Sequence, residues 1–213
     1  VDPYFRRHTQ PVFEDCLSNT KNTNVIPLSC FDFKSDFKST FLSAYGSYED
    51  KLKQKRAIDL LFMSLSGKKI TLMGDEFAGG GLIKDEPAVD WRMLDLEAHN
   101  DMRSFVRALN YFYLTMPILH SDSADISVLP FEKIDKSKNI IATKRTAMCD
   151  EIMTVVNLSG IEQSIDVSDV TEIECVFATQ CCIDNNSARP KADHNNSFTI
   201  TLPAFCGAVY RLK

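Results

Sequence analysis

The chain has 213 residues, 44% hydrophobic and 25% charged, a composition that supports a packed core in one large domain or two smaller ones. Its 29 acidic and 24 basic residues give a net charge of −5, which argues against a nucleic-acid platform with its basic face. No run approaches the ~18 apolar residues of a membrane-spanning helix, and the opening VDPYFRRHTQ has no apolar secretory core, so a cytoplasmic protein (or a plastid one, from a plant-like source) with no membrane partner is expected.

In chain order, residues 1–23 are polar and mixed, with a short amphipathic helix expected over 11–17 and a loop over 19–24. Residues 25–28 read as a short buried strand that runs into Ser29-Cys30-Phe31-Asp32. An irregular stretch over 34–46 follows. Ser47 then opens a helix, with Asp50 three residues on reaching back as in a capping box. Ile58, Leu61, Phe62 and Leu65 recur at helical spacing, and Gly67 ends the helix. Lys51, Lys53, Lys55 and Arg56 on this helix read as a solvent-facing basic cluster. Residues 70–73 form a second buried strand, followed at once by Gly74-Asp75-Glu76. A glycine loop at 79–81 runs on to Trp91, the one tryptophan. A second helix is expected from about 98 to 116, with Met102, Phe105, Val106, Leu109, Phe112, Tyr113 and Met116 along one buried stripe and Pro117 stopping it. His99 and His120 flank that helix and read as surface or boundary residues.

From about Ser121 short strands alternate with turns: 128–134, 139–144, 152–158, 172–178, 197–202 and 208–212, with a polar loop over 184–196. Residues 121–213 therefore read as an all-β, antiparallel sandwich domain. The front has only two strand–helix repeats, and two parallel strands alone leave open edges. Residues 1–120 are accordingly expected to be the C-terminal part of a larger (β/α)8 barrel, with the missing strands upstream of Val1. The seven cysteines, Cys16, Cys30, Cys149, Cys175, Cys181, Cys182 and Cys206, contain no C-x-x-C pair. They read as buried free thiols, and no metal site is expected.

Several stretches, in order, resemble one family. Asp2-Pro3-Tyr4-Phe5-Arg6-Arg7-His8 and Ile26-Pro27-Leu28-Ser29 are similar to the approach to a seventh barrel strand and to that strand. Gly67-Lys68-Lys69-Ile70-Thr71-Leu72-Met73-Gly74-Asp75-Glu76-Phe77 is similar to the eighth strand and its Gly-x-Glu-Phe end. Asp90-Trp91 with Leu94-Asp95 resembles the following Asp-Trp-x-x-Leu-Asp segment, RSFVRALNYFYLTMPIL the last barrel helix, and ITLPAFCGAVYRL the last strands of a C-terminal β domain. On these residues the chain resembles the C-terminal part of glycogen and starch branching enzymes of the α-amylase clan.

The resemblance implies an α/β barrel end plus an all-β domain, with active-site residues at the C-terminal ends of the barrel strands. It implies a retaining transglycosylation that moves an α-1,4-glucan segment to a 6-hydroxyl, without a cofactor. Such chemistry needs a nucleophilic and an acid/base carboxylate about 5–5.5 Å apart. The family draws these from its fourth and fifth strands, and no segment here resembles either motif. A third family carboxylate follows strand seven in a Pro-Leu-Ser-His-Asp-Glu pattern. Here that place reads Pro27-Leu28-Ser29-Cys30-Phe31-Asp32, with Cys30 at the His position and Phe31 at the Asp position. Asp32 would take over only if a bulge re-aimed it. The resemblance thus leaves Asp32 as the candidate catalytic residue, and Phe31, Asp75, Glu76 and Trp91 as candidate substrate contacts. The expected partners are α-1,4-glucan (glycogen, amylose or amylopectin) and the upstream part of the same barrel. The chain alone is expected to be inactive. The alternative is a non-catalytic, glucan-binding or scaffold relative.

Overall fold

The computed structural model describes residues 25–27, 39–79, 89–121, 125–128, 139–147, 150–184, 189–192 and 197–213. The expected helix over 11–17, Cys30, Phe31, Asp32 and the centre of the glycine loop lie outside these residues. In the front portion, β1 (Val25–Pro27) pairs in parallel with β2 (Lys68–Ile70), Ile26 opposite Lys69. Between them lie a short helix α1 (Thr40–Ser43) and the long α2 (Tyr48–Ser64). The capping box at the start of α2 is present: the Asp50 amide donates to Ser47 Oγ, and Asp50 Oδ2 accepts from the Ser47 amide. Helix α3 (Glu97–Thr115) buries Met102 and Leu109 fully, with Phe105, Val106, Phe112 and Tyr113 half-buried on the same side. Pro117 does end α3, and it also occupies the first turn of a further short helix, α4 (Pro117–His120), where its missing N–H costs nothing.

The back portion is antiparallel. One five-stranded sheet runs β3 (Asp125–Val128), β4 (Ile140–Ala147), β5 (Asp150–Asn157), β10 (Gly207–Leu212), β7 (Ile173–Ala178). A three-stranded sheet runs β6 (Gln163–Val167), β9 (Phe198–Leu202), β8 (Lys191–Ala192), and a short helix α5 (Gln180–Asp184) follows β7. Strand β3 begins earlier than the expected 128–134, and β6 falls where no strand was expected.

Period-two alternation sends the central strands into two cores at once. Ile140, Ala142, Met153, Val155, Ala208 and Tyr210 join Ile165, Ile200 and Leu202 of the smaller sheet in one buried cluster. Their neighbours Ile141 and Val156 pack on Ala57, Leu61 and Leu65 of the α2 region, while Ile152 and Val209 pack with Leu60, Leu109, Ile118 and Leu119. This is why these strands are apolar on both faces: the sheet has helices on one side and the second sheet on the other. The reading of all seven cysteines as thiols holds for Cys175 and Cys182 but not for Cys206, which is disulfide-bonded. No helix among the described residues is long and apolar enough to cross a membrane.

Candidate functional site

The turn after β2 is tightly constrained. Asp75–Phe77 forms one turn of 3-10 helix between Gly74 at φ 96° and Ala78 at φ 58°, both left-handed. Glycine accommodates that at Gly74, whereas Ala78 holds it at a steric cost. The Gly79 amide donates to Gly74 O at 2.8 Å, and a Cβ on Gly79 would lie only 2.8 Å from that same oxygen. The turn is closed too tightly for any side chain there.

Three contacts fix this turn from outside its backbone. Glu76 Oε2 accepts from the Gly74 amide at 2.7 Å. Asp75 Oδ2 accepts from Lys55 Nζ at 3.0 Å, and the same ammonium donates to Asp59 Oδ1 and Oδ2 at 2.6 and 2.7 Å. Lys55 is 1% exposed, so the expectation of a solvent-facing basic cluster fails at this residue. An ammonium leaves water only when carboxylates replace its hydration, and two carboxylates from separate elements do so here. His99 is the second departure: it is wholly buried rather than at the surface, and its Nδ1 lies 2.6 Å from Phe77 O. Its Nε2 meets the Tyr48 hydroxyl.

Burial is the largest influence on Lys55 and opposes its charge, yet Asp59 and Asp75 more than offset it and hold its pKa above the ordinary value. Burial pushes the Asp59 carboxyl up to about 6, against the pull of Lys55 and with the push of Asp75. One ammonium therefore serves two carboxylates, and Asp59 is where a proton enters as pH falls. The triad borders a small cavity of about 60 Å³, also lined by Thr71, Glu76 and Asn110. A carboxyl with a folded pKa near 6, above the ~3.9 of an unfolded chain, holds its proton better when folded. Its contribution is complete below about pH 4 and fades as pH rises through 6. Between pH 5 and 7 the unmodified protein is expected to lose about 1 kcal/mol relative to Asp59→Asn, read from urea unfolding at both pH values.

Of the candidate substrate contacts, Asp75 is buried with Lys55, Glu76 is half-buried on Gly74, and Trp91 is 54% exposed. The structure brings Asp75, Glu76 and Trp91 to one turn, since the Trp91 ring packs on the fully buried Phe77 ring, centroids 5.6 Å apart. Trp91 opens a 3-10 segment, Trp91–Asp95, capped by Asp90, which accepts from the Arg92 amide and guanidinium. The Arg92 hydrogen bonds hold the exposed Asp90 carboxyl below its usual range. Asp59, Lys55, Tyr48 and His99 were not among the sequence candidates. The i,i+4 spacing of Lys55 and Asp59 is the local signal that could have found that pair.

No protein-family model matches the chain. A solved debranching enzyme of Nostoc punctiforme superposes on 94% of this chain and 39% of its own, with TM-score 0.67 and 16% identity. An α-amylase of Geobacillus thermoleovorans, solved with acarbose, covers 78% of this chain and 35% of its own at TM-score 0.57 and 13% identity. The fold is thus one shared with α-amylase-type enzymes. Among curated proteins, the 1,4-alpha-glucan branching enzyme GlgB of Fusobacterium nucleatum is 30% identical over 77% of this chain and 27% of its own length. That of Nitrosomonas europaea is 26% identical over 99% of this chain and 31% of its own. The chain is thus similar in sequence to bacterial 1,4-alpha-glucan branching enzymes, and it spans less than a third of the length of these two relatives.

Proposed function

We propose that this chain is part of a 1,4-alpha-glucan branching enzyme-like protein of glycogen or starch metabolism. The carrying observation is a match to one branching enzyme along 99% of the chain. In this reading residues 1–120 are the C-terminal part of a (β/α)8 barrel, with β1 and β2 as its seventh and eighth strands, and residues 121–213 are a C-terminal β-sandwich domain. The parallel β1–β2 pair and the turn that follows β2 support it, because ligands of such barrels meet the loops at the C-terminal strand ends. The substrate is an α-1,4-glucan. Trp91 offers the exposed ring face on which a pyranose stacks. Asp75 and Glu76 act by fixing the turn beneath it.

The chain contains no segment resembling the nucleophile and acid/base strands, so it is inactive alone and works with the upstream part of the same barrel. A retaining transfer needs both carboxylates about 5–5.5 Å apart, and no single strand end replaces them. The isolated 213-residue chain is expected to leave the iodine-stained absorbance of amylose unchanged, while the full-length protein shifts it. A shift produced by the isolated chain would overturn this assignment of roles. Cys30-Phe31, standing where the family keeps His-Asp, favours a second reading: a non-catalytic glucan-binding or scaffold relative. Under that reading the full-length protein binds amylose but leaves its iodine stain unchanged.

A further inference from the structure

We propose that His99, braced by Tyr48, is a positioning residue that sets the saccharide-facing ring of Trp91. The proposal rests on the α-glucan reading above.

A carbonyl oxygen only accepts, so the 2.6 Å contact of His99 Nδ1 with Phe77 O places the ring proton on Nδ1. The other ring nitrogen, Nε2, meets the Tyr48 hydroxyl. Both nitrogens are thus committed, one to the turn after β2 and one to the first residue of α2. The imidazole is fully buried, and Phe41 packs edge-on against both rings, 5.9 Å from His99 and 5.4 Å from Tyr48. Such a ring has no freedom to swing.

Phe77 passes this constraint on. Its carbonyl is held by His99, and the next residue, Ala78, sits in the left-handed region. The turn is therefore held in a conformation that alanine does not favour by itself. The buried Phe77 ring is the floor on which Trp91 rests at 5.6 Å, tilted by 43°. His99 is also on the first turn of α3, directly after the 3-10 segment that begins with Trp91, and its amide donates to Leu96 O. One imidazole thus ties the floor under Trp91 to the segment that carries Trp91. Loosening it lets the indole tilt, and stacking on a sugar depends on that tilt.

The test measures maltoheptaose binding to the full-length protein by calorimetry. Trp91→Ala is expected to weaken binding more than about tenfold. His99→Gln, which keeps a donor for the carbonyl but not the second contact, is expected to weaken it about fivefold, and Tyr48→Phe about threefold. The double variant should bind no worse than His99→Gln, because both act through one ring. In parallel, the indole N–H resonance of Trp91, assigned by its loss in Trp91→Phe, should shift or broaden in both single variants. A purely architectural His99 would lower the melting temperature and leave Kd and the indole signal within twofold and in place, which would overturn the proposal. Should His99→Gln not fold, Tyr48→Phe decides by the same two readouts. Unmodified protein that binds no maltoheptaose would sink the α-glucan reading itself, and this inference with it. Intact binding that is indifferent to Tyr48 and His99 would sink the inference alone.

Discussion

Replacing Lys55 by Met is expected to lower the unfolding free energy by about 3–5 kcal/mol at pH 7, one of the largest single-residue effects in the front portion. The physical reason is what remains behind. Asp59 and Asp75 both lose the ammonium that holds them, at 2.6, 2.7 and 3.0 Å, and both are less than one-tenth exposed. Two facing buried carboxylates cannot both stay ionised, so one takes up a proton. Asp59 already leans that way, with burial holding it near 6, and without Lys55 it moves higher still. The deficit of the variant should therefore shrink as pH falls from 7 to 5, and Lys55→Met/Asp59→Asn should recover part of it at pH 7. Urea unfolding of the three proteins at both pH values checks this. A loss under about 1 kcal/mol that is insensitive to pH would mean that the adjoining cavity hydrates the carboxylates and that the triad does not hold the turn after β2.

The triad also marks where sequence reasoning stops. The cap at Ser47 and Asp50 was legible because its whole logic lies within four residues. The apolar stripe of α3 was legible because burial there follows a helical period, and β4, β5, β7, β9 and β10 were legible as short runs of strand-forming residues set between turns. Lys55 sits in the run Lys51-Leu52-Lys53-Gln54-Lys55-Arg56, which reads as a charged surface. Asp59 is only four residues on, but the second carboxylate that lets this lysine be buried, Asp75, lies twenty residues further on across β2, and no local window contains all three. His99 is the same case: its partners Tyr48 and Phe77 are 51 and 22 residues away. Strand β6 went unseen because Ser164 and Asp166 make one face polar and Gln163 opens the other, and only pairing with β9 and the burial of Ile165 and Val167 settle it as a strand. Of the candidate site, the turn at Gly74-Asp75-Glu76 and the position of Trp91 were visible as residues. The buried groups that hold them were not.

Gly207→Ala is expected to cost about 1–3 kcal/mol, and part of that cost should vanish when Leu60 is also shortened. Gly207 opens β10, and a Cβ there would lie 3.0 Å from Leu60 Cδ2, 3.0 Å from Val156 Cγ2 and 3.3 Å from Val155 O. The backbone oxygen is fixed by the β5–β10 ladder and the valine is stiff at χ1, so the leucine is the neighbour that must give. Leu60 is 1% exposed in a cluster with Ile152 and Val209, and Leu60→Ala alone should cost about 2–5 kcal/mol by opening a cavity. In the double variant the new methyl at 207 enters that cavity, so the two losses should fall short of their sum by about 1 kcal/mol or more. The same pair tests how the chain divides. Leu60 belongs to α2 and Gly207 to the last strand, on opposite sides of the boundary proposed between residues 120 and 121. If the two portions unfold as one unit, Leu60→Ala will speed hydrogen exchange equally at the amides of α2 and of β5 and β10. Faster exchange in α2 alone, with β5 and β10 unchanged, would mean that the β portion keeps its fold when the helix opens. The shared core between Leu60, Ile152 and Val209 makes the first outcome the expected one.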